Sequence, residues 1–384
     1  MNLDKLRLLG SGFTEEEYRL YHFDRLPDIK AAMQYLSHRR NHQIYRPAVN
    51  RGAQQHTLED KWVTQLFLSG LSIPVARTWG LYHPGFGATI DGAAFRTPED
   101  VAAVLGPHLP LRLILKPRGG RKGRNILRAD LHPAADGGIG VTVDGAELSL
   151  AAFLETLPDD AFGDYDGNYH GWLVQDCLRQ HEFLDRINPH TINSMRVVTF
   201  IAADDTIGVH LAALRLGRAG GVADNWDRGG LSVAIDVGTG TLGQGLAKPR
   251  YGGAWTSVHP DTGERFEGRQ LPEWPRVLEV CRRAAAAFSG IRAVGWDVAL
   301  TPDGPVIIEG NATWGLPVVQ VHTKGYLTPE VRAELARHGA YFPEEPPSVP
   351  RALLALLGYQ WQRSRGPGLL QSIHARLRRP TSGG

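Results

Sequence analysis

Two carboxylates stand on either side of a turn in the last third of the chain. The segments AVGWDVAL and PVIIEGN flank TPDGP, whose proline and glycine favour a tight reversal. If the hairpin is centred near Asp303, Asp297 and Glu309 lie opposite each other, because each is six residues from that centre. Side chains alternate along a strand, so Asn311 is expected on the same face as Glu309.

This arrangement predicts a metal site. Directly opposed strand residues have Cβ atoms ~5 Å apart, and two carboxylates that close repel each other unless a cation lies between them. Mg²⁺ prefers oxygen ligands such as Asp, Glu and Asn, and it can hold phosphate oxygens at the same time. The alternative is an edge hairpin whose acids only face water.

A lysine followed by a glycine-rich loop is the second chemical feature. The apolar strand LRLILKP delivers Lys116, and the basic loop RGGRKGRN follows it. Such a loop can lay backbone N–H groups and cations over a polyphosphate. It is not a Walker loop, because its lysine does not stand in a GK[ST] sequence. A solvated basic hairpin is the alternative.

Several other motifs are excluded. GTGTLG matches GxGxxG, but the residues after it cannot begin a helix, so we predict a hairpin turn there. The histidines stand singly, without zinc-ligand spacing. There is no GxSxG elbow and no cysteine with a persuasive catalytic partner.

The elements that position these residues indicate an α+β protein of two or three lobes. Residues 14–69 are predicted to be helical, and short strands follow. Several consecutive strands joined by short turns indicate an antiparallel sheet, with the helix WPRVLEVCRRAAAAFSG packed on it. We expect four parts. A helical N-terminal region covers 1–70, and a lobe with the glycine-rich loop covers 71–174. A lobe with the metal site covers 175–330, and a basic C-terminal tail covers 331–384.

Charge and cysteine usage limit the partners and the compartment. The net charge is +2, but residues 351–384 hold six arginines and no acid, so the remainder carries about −4. That balance argues against a nucleic-acid groove. The two cysteines lack CxxC spacing, and neither a signal peptide nor a transmembrane segment is expected, so we predict a cytoplasmic protein. The leucines of the tail either dock on the body of the protein, which is the simpler interpretation, or lie on an anionic membrane surface.

The order of these parts resembles the ATP-grasp superfamily. The strings INSMRVVTF, NWDRGGLSVAIDVGTG, HPDTG and VGWDVALTPDGPVIIEGN are more narrowly similar to the sugar-transfer associated ATP-grasp group, which is related to alpha-L-glutamate ligase-like proteins. The resemblance covers roughly residues 45–325. It implies an ATP-grasp fold, in which two α/β lobes with antiparallel sheets grip the nucleotide.

The resemblance also implies roles for single residues. Ten residues are expected to contact the nucleotide, and they include the lid glycines, the adenine hinge and the ribose contacts. They are Lys61, Lys116, Gly119, Gly120, Gly123, Gln175, Asp176, Leu178, His181 and Glu182. The usual hinge glutamate is absent, which weakens the adenine assignment. Those expected to act in phosphoryl transfer are Lys116, Arg196 and Asn193. The implied ligands of two Mg²⁺ ions, which Mn²⁺ can replace, are Asp297, Glu309 and Asn311.

The implied activity is that of an ATP-dependent ligase, which joins a small-molecule carboxylate to an amine or a sugar acceptor through an acyl phosphate. Polysaccharide or small-metabolite biosynthesis is the expected setting. Candidate substrate residues in the loops are Asp224, Asn225, Arg228 and His259, with Trp314 and Gln320 after the metal strand, although ordinary loop packing is an alternative. A phosphotransferase and a non-catalytic nucleotide-binding module in a sugar-assembly complex remain open. A glycosyltransferase using the DYD segment at 164–166 is less favoured, because its loop is unspecific.

Overall fold

The computed structural model describes residues 2–50, 54–120, 125–158, 169–220 and 224–364. The helices are α1 (Leu3–Gly10), α2 (Glu15–Leu20), α3 (Ile29–Ala32), α4 (His38–Arg40), α5 (Arg46–Val49), α6 (Gln55–Glu59), α7 (Lys61–Gly70), α8 (Pro98–Leu105), α9 (Leu150–Glu155), α10 (Glu182–Ile187), α11 (Trp274–Ala287), α12 (Leu316–Gln320), α13 (Pro329–Arg337) and α14 (Val349–Ser364). Short 3₁₀ helices lie at Phe23–Arg25, Gly106–His108, Trp226–Arg228 and Pro249–Tyr251, and a π-helix at Asn41–Tyr45. Among the described helices, none is both long and apolar enough to cross a bilayer.

The strands are β1 (Thr78–Tyr82), β2 (Ala88–Thr89), β3 (Leu111–Pro117), β4 (Leu127–Pro133), β5 (Ile139–Val143), β6 (Ala146–Ser149), β7 (Trp172–Asp176), β8 (Ser194–Ile201), β9 (Ile207–Leu216), β10 (Leu231–Ile235), β11 (Leu242–Ala247), β12 (Trp255–Thr256), β13 (Ala293–Thr301) and β14 (Gly304–Asn311). Helices precede the first strand, and strands dominate the middle of the chain. The predicted α+β class is confirmed.

The chain forms two compact units, which are Met1–Tyr45 with Thr323–Gly384, and Arg46–His322. The first unit is helical in its described part. Its α1 packs against α14 so closely that a side chain at Gly10 would meet the Cα atom of Ala352 at 2.5 Å. The four-part division expected from the sequence stays a prediction.

In the second unit, seven antiparallel strands form a sheet in the order β2-β1-β7-β3-β4-β5-β6. Alternation along β3 buries Leu113 and Leu115, which join a core with Phe153 of α9 and Val101 of α8. The same alternation leaves Lys116 on the other face of the sheet. This strand has the bounds that its apolar run predicts.

A second antiparallel sheet of the same unit has the order β12-β11-β10-β9-β8-β13-β14. Its core face packs on α11, whose Val277, Cys281 and Ala284 are buried with Trp296 of β13. This confirms the predicted sheet and its covering helix. The GTGTLG segment includes the turn between β10 and β11, as predicted.

Candidate active site

A cavity of about 440 Å³ is lined by residues of both sheets of the second unit. The first sheet contributes Lys116 from β3 and Gln175 from β7. The second contributes Arg196 from β8, Asp297 from β13 and Glu309 from β14. Five residues that the sequence singled out, separated by almost two hundred positions, therefore share one space.

The β13–β14 hairpin carries the acidic side of this cavity. Asp297 pairs with Glu309 and Gly295 with Asn311, and the Asn311 amide donates a 3.2 Å hydrogen bond to Oε1 of Glu309. The predicted opposition of the two carboxylates is confirmed, as is the shared face of Glu309 and Asn311. The register shifts by one residue between Asp297 and Val298, because β14 contains a β-bulge at Ile308.

Asp297 is neutralised by two guanidinium groups. Arg196 donates from Nε to Oδ1 and from Nη2 to Oδ2 at 3.1 Å, and Arg215 donates from Nη2 to Oδ2 at 2.9 Å. Burial works to raise the pKa of Asp297, but the two arginines outweigh it and hold this pKa at about 2. The sequence suggested that a metal must relieve carboxylate repulsion, whereas in the structure these arginines already do so.

Arg215 also ties this hairpin to a buried acid, Asp224, which the sequence offered as a substrate residue and not as a partner of an arginine. Its Nη2 lies 3.5 Å from Asp224, and Ser194 donates to Asp224 from its backbone N–H at 2.7 Å and from its hydroxyl at 2.6 Å. Burial raises the pKa of Asp224 in spite of Arg215. The signal in the sequence was the single arginine inside the apolar strand IGVHLAALRL, since a cation there needs a buried partner.

Both arginines keep one amino group available. Among the described residues, neither Nη1 of Arg196 nor Nη1 of Arg215 has a hydrogen-bond partner, and both side chains line the cavity. Each guanidinium is therefore oriented by Asp297 and still has donors for an anion.

Lys116 and Lys61 form the basic side of the cavity. Burial lowers the pKa of Lys116 to about 8, and the described residues offer its ammonium no hydrogen bond or ion pair. Lys61 begins α7, donates to the carbonyl of Gly120 and has its Nζ 3.9 Å from Oε2 of Glu309. Two cations thus face the acidic hairpin.

Asp60 fixes the start of the glycine-rich loop to α7. Its carboxylate caps the helix by accepting from the backbone N–H groups of Trp62 and Val63, and it receives two hydrogen bonds of 2.8 and 2.6 Å from Arg118. Gly120 lines the cavity and Gly119 does not, while Gly123 lies outside the described residues. Arg118 is therefore an anchor of the loop.

The family model for sugar-transfer associated ATP-grasp proteins matches residues 39–334. The chain belongs to this family. The expected ATP-grasp fold is thereby confirmed. Comparison with curated protein sequences gives no significant match.

The solved structures to which the chain is similar include one synthase and two ligases. N5-carboxyaminoimidazole synthase from Aspergillus clavatus is 14% identical, with a TM-score of 0.35 and 67% of this chain matching 44% of that one. L-amino acid ligase from Bacillus licheniformis is 12% identical, with a TM-score of 0.40 over 77% of this chain and 52% of that one. D-alanine–D-alanine ligase from Bacillus anthracis is 12% identical, with a TM-score of 0.34, and the match covers 82% of this chain and 71% of that one. The chain spans less than two thirds of the first two.

Three residues that the resemblance assigns to the adenine hinge, Gln175, Asp176 and Leu178, line the cavity, and their role stays a prediction. The side-chain amide of Gln175 donates to Thr78 at 2.8 Å, and its Oε1 is buried with no partner in the described structure. Asp176 accepts a 2.7 Å hydrogen bond from the indole of Trp79. Within the described residues, Oε1 of Gln175 is thus a buried acceptor that a ligand could use.

Three other predicted residues of the ATP-grasp domain do not line the cavity. His181 caps α10 by accepting from the N–H of Phe183, and Glu182 is exposed beside Arg186. Asn193 is buried, where its amide donates to Gln180 at 2.8 Å and to backbone carbonyls. Its position supports the start of β8, and the ribose and catalytic roles implied for these residues stay predictions.

The predicted substrate residues are also dispersed. Asn225 lines the cavity, but Arg228 is an exposed residue outside it. His259 is buried with its Nε2 2.9 Å from the carbonyl of Gly217, and burial lowers its pKa. Asp224, which the sequence also offered, lines the cavity, whereas Trp314 and Gln320 do not. The sequence did not single out three other lining residues at this end, Trp226, Asp227 and Lys248.

Proposed function

We propose that the protein is an ATP-dependent ligase that binds Mg²⁺ and ATP in this cavity and activates a small-molecule carboxylate as an acyl phosphate. The observation that carries the proposal is that Lys116, which is buried and has no partner among the described residues, shares a cavity with Glu309 and Asp297 from the other sheet. A buried ammonium without a partner is costly, and a polyphosphate would supply one.

The charges of the described lining residues support a metal as well as a nucleotide. The cations are Lys61, Lys116, Arg196, Arg215 and Lys248. The acids are Glu59, Asp176, Asp224, Asp227, Asp297 and Glu309. Five cations and six acids leave this lining without the positive charge that a fully ionised triphosphate requires. Divalent cations would correct the balance.

The hairpin fits Mg²⁺ in its donor chemistry. Glu309 and Asn311 present oxygen atoms to the cavity and would hold the ion, while Asp297 is already engaged with two arginines and would add the more constrained ligand. When bound, Mg²⁺ would neutralise phosphate charge and orient the γ-phosphoryl group. The number of ions and replacement by Mn²⁺ belong to the proposal.

The base of the nucleotide is assigned to the hinge. The open Oε1 of Gln175 would accept a hydrogen bond from an exocyclic amine such as that of adenine. Ile114 and Leu178 line the same end and offer apolar contact to a ring. This end is joined to the phosphate end by Lys116, which lies two residues after Ile114 on β3.

The reaction then follows from the two arginines. A substrate carboxylate oxygen attacks the γ-phosphorus, the bond to ADP breaks, and an acyl phosphate forms. The free Nη1 groups of Arg196 and Arg215 would stabilise charge on the transferring group. An amine, or a hydroxyl of a sugar, then attacks the acyl carbon, phosphate leaves, and the nucleophile releases a proton.

The substrate is assigned to the cavity end that holds Asn225, Trp226, Asp227 and Lys248. The Lys248 ammonium pairs with Asp227 at 2.5 Å and lies 5.0 Å from the Trp226 ring centre. An aromatic ring beside a paired cation and acid suits a polar metabolite. The family description supports a place in polysaccharide or small-metabolite biosynthesis. Two free cysteines favour the cytoplasm.

Nucleotide binding can be tested with the protein's own thiols. Cys177 lines the cavity and Cys281 is buried, and burial raises the pKa of both, so alkylation is followed at alkaline pH. Mg·ATP is expected to slow alkylation at Cys177, with Cys281 as the internal control. Unchanged labelling of Cys177 at saturating Mg·ATP would contradict the nucleotide assignment.

The reaction is tested by incubating the protein with ATP, Mg²⁺ and a panel of carboxylic acids and amines, with hydroxylamine as a trap. Hydroxamate together with ADP is the expected result and identifies the carboxylate. A stable phosphorylated product would assign a phosphotransferase instead. AMP release would indicate that the activated intermediate is an acyl adenylate and not an acyl phosphate.

A further inference from the structure

Helix α14 carries apolar residues on two opposite faces. On one face Ala352 is fully buried against α1, and Tyr359 is partly buried with its ring 3.7 Å from the Arg39 guanidinium. On the other face Leu353, Leu354 and Leu357 are 46%, 69% and 61% exposed. A helix packed on one side ordinarily presents polar residues on its outer side. The outer face of α14 therefore has no role in holding the helical unit together.

These three leucines form one stripe. Residues one and four positions after Leu353 lie on the same side of a helix, because 3.6 residues complete a turn. All three side chains are exposed, whereas Leu356, another leucine of the tail, is partly buried. The leucine stripe, defined as Leu353, Leu354 and Leu357, is thus available to a partner.

Charge decides which partner fits. Residues 351–384 include Arg351, Arg363, Arg365, Arg376, Arg378 and Arg379, and they include no aspartate or glutamate. An apolar helix face joined to an uncompensated basic segment is typical of helices that lie in the interface of an anionic bilayer. No helix in the described part of the chain can span a membrane, so contact would be peripheral.

A second copy of this chain fits less well. In a two-fold symmetric interface centred on the stripe, residues 351–384 of the second copy hold the same six arginines and no acid, so they offer this segment no complementary charge. An anionic lipid surface instead offers phosphate groups to every arginine. We propose that the leucine stripe and the basic segment bind the protein to an anionic membrane surface. This proposal is independent of the ligase reaction.

The test uses the full chain in vesicle flotation. Vesicles of phosphatidylcholine with phosphatidylglycerol are expected to carry the protein at low salt, whereas phosphatidylcholine alone does not. Replacing the stripe by Leu353→Gln, Leu354→Gln and Leu357→Gln is expected to reduce partitioning on the order of tenfold or more. Removing three cations by Arg376→Gln, Arg378→Gln and Arg379→Gln is expected to reduce it on the order of a hundredfold, through lost attraction to anionic lipid.

Two controls keep the result interpretable. Phe86→Gln with Ile90→Gln removes apolar side chains that are 47% and 45% exposed in the other unit, and it is expected to leave flotation unchanged. Glutamine has a helix propensity close to that of leucine, so the stripe variant is expected to keep its melting temperature. If the melting temperature of the stripe variant falls, the single substitution Leu354→Gln is used in place of the triple substitution.

Three results would overturn the proposal. The first is that the intact protein fails to float with anionic vesicles. The second is that the stripe variant floats as well as the parent. The third is that light scattering detects a dimer, that the stripe variant does not form this dimer, and that lipid has no effect on it. This result would assign the face to a second copy.

Discussion

Asp297 and Glu309 are cross-strand partners because Ile308 is an extra residue in β14. Val298 pairs with Ile307 and both belong to the core, whereas Asp297, the next residue on β13, pairs with Glu309. Strict alternation from Ile307 would turn Glu309 towards that core. The bulge brings Glu309 to the cavity face instead.

Deleting Ile308 is therefore expected to remove the bulge and to keep the metal site. Glu309 would follow Ile307 directly, so regular alternation would leave it on the cavity face opposite Asp297, with Asn311 on the same face. The stabilisation of the melting temperature by Mg·ATP should be largely retained. Ile308→Ala keeps the residue count and the bulge and serves as the control. Loss of nucleotide stabilisation in the deletion variant alone would show that binding requires the bulge itself and not only the side that Glu309 faces.

Glu309→Gln tests the carboxylate with its shape preserved. Turnover is expected to fall ~10³-fold, the scale of losing an electrostatic contact in the transition state. The metal-free variant should melt slightly lower, because Lys61 loses an acid 3.9 Å away while Asp297 is already neutralised. The sequence alone suggested a slightly higher melting temperature, because removing one carboxylate would relieve its repulsion with Asp297. Glu264→Gln, which changes an acid paired with Arg269, is the matched control, and full activity of Glu309→Gln would remove Glu309 from the mechanism.

Lys116 should make ATP affinity depend on pH. Its pKa is about 8 in the free protein, because burial disfavours the charged form, and bound phosphate would raise it. ATP binding near pH 8 should therefore take up a proton, and affinity should fall up to about tenfold per pH unit above that value. Calorimetry in buffers of different ionisation enthalpy measures the uptake. Lys116→Arg keeps its charge at these pH values and should flatten the profile, so an unchanged profile would assign the titration elsewhere.

Arg215→Met should destabilise the protein without nucleotide. It leaves Asp224 without its arginine and Asp297 with one guanidinium instead of two, and breaking a buried ion pair costs about 3 to 5 kcal/mol. Urea unfolding measures the loss. Arg218→Met breaks a pair with Asp261 in which the arginine is 41% exposed, and should cost about 1 kcal/mol or less. Equal losses for the two variants would show that the buried network contributes no more than a surface pair.

Local patterns in the sequence were sufficient for the strands and for the hairpin. The apolar run LRLILKP gave the bounds of β3, and Pro302 with Gly304 marked the reversal that opposes Asp297 and Glu309. The expected centre at Asp303 differs from the observed turn, because Thr301 pairs with Gly304. The bulge offsets this difference, so the pairing was predicted correctly while its cause was not.

The types of residue that do the chemistry were also visible in the sequence, because a lysine or an acid within an apolar strand requires a partner of opposite charge. Which partner it has depends on the tertiary structure. Arg215 of β9 pairs with Asp297 of β13 and with Asp224 in the loop after β9, and α7 brings Lys61 to Glu309. Alternation along one strand reports only the side a residue faces, while contacts between distant segments depend on how the sheets and helices pack. The sequence by itself therefore determined the strands and the charged residues, and the tertiary structure decided which of those charges neutralise one another and which remain open to a ligand.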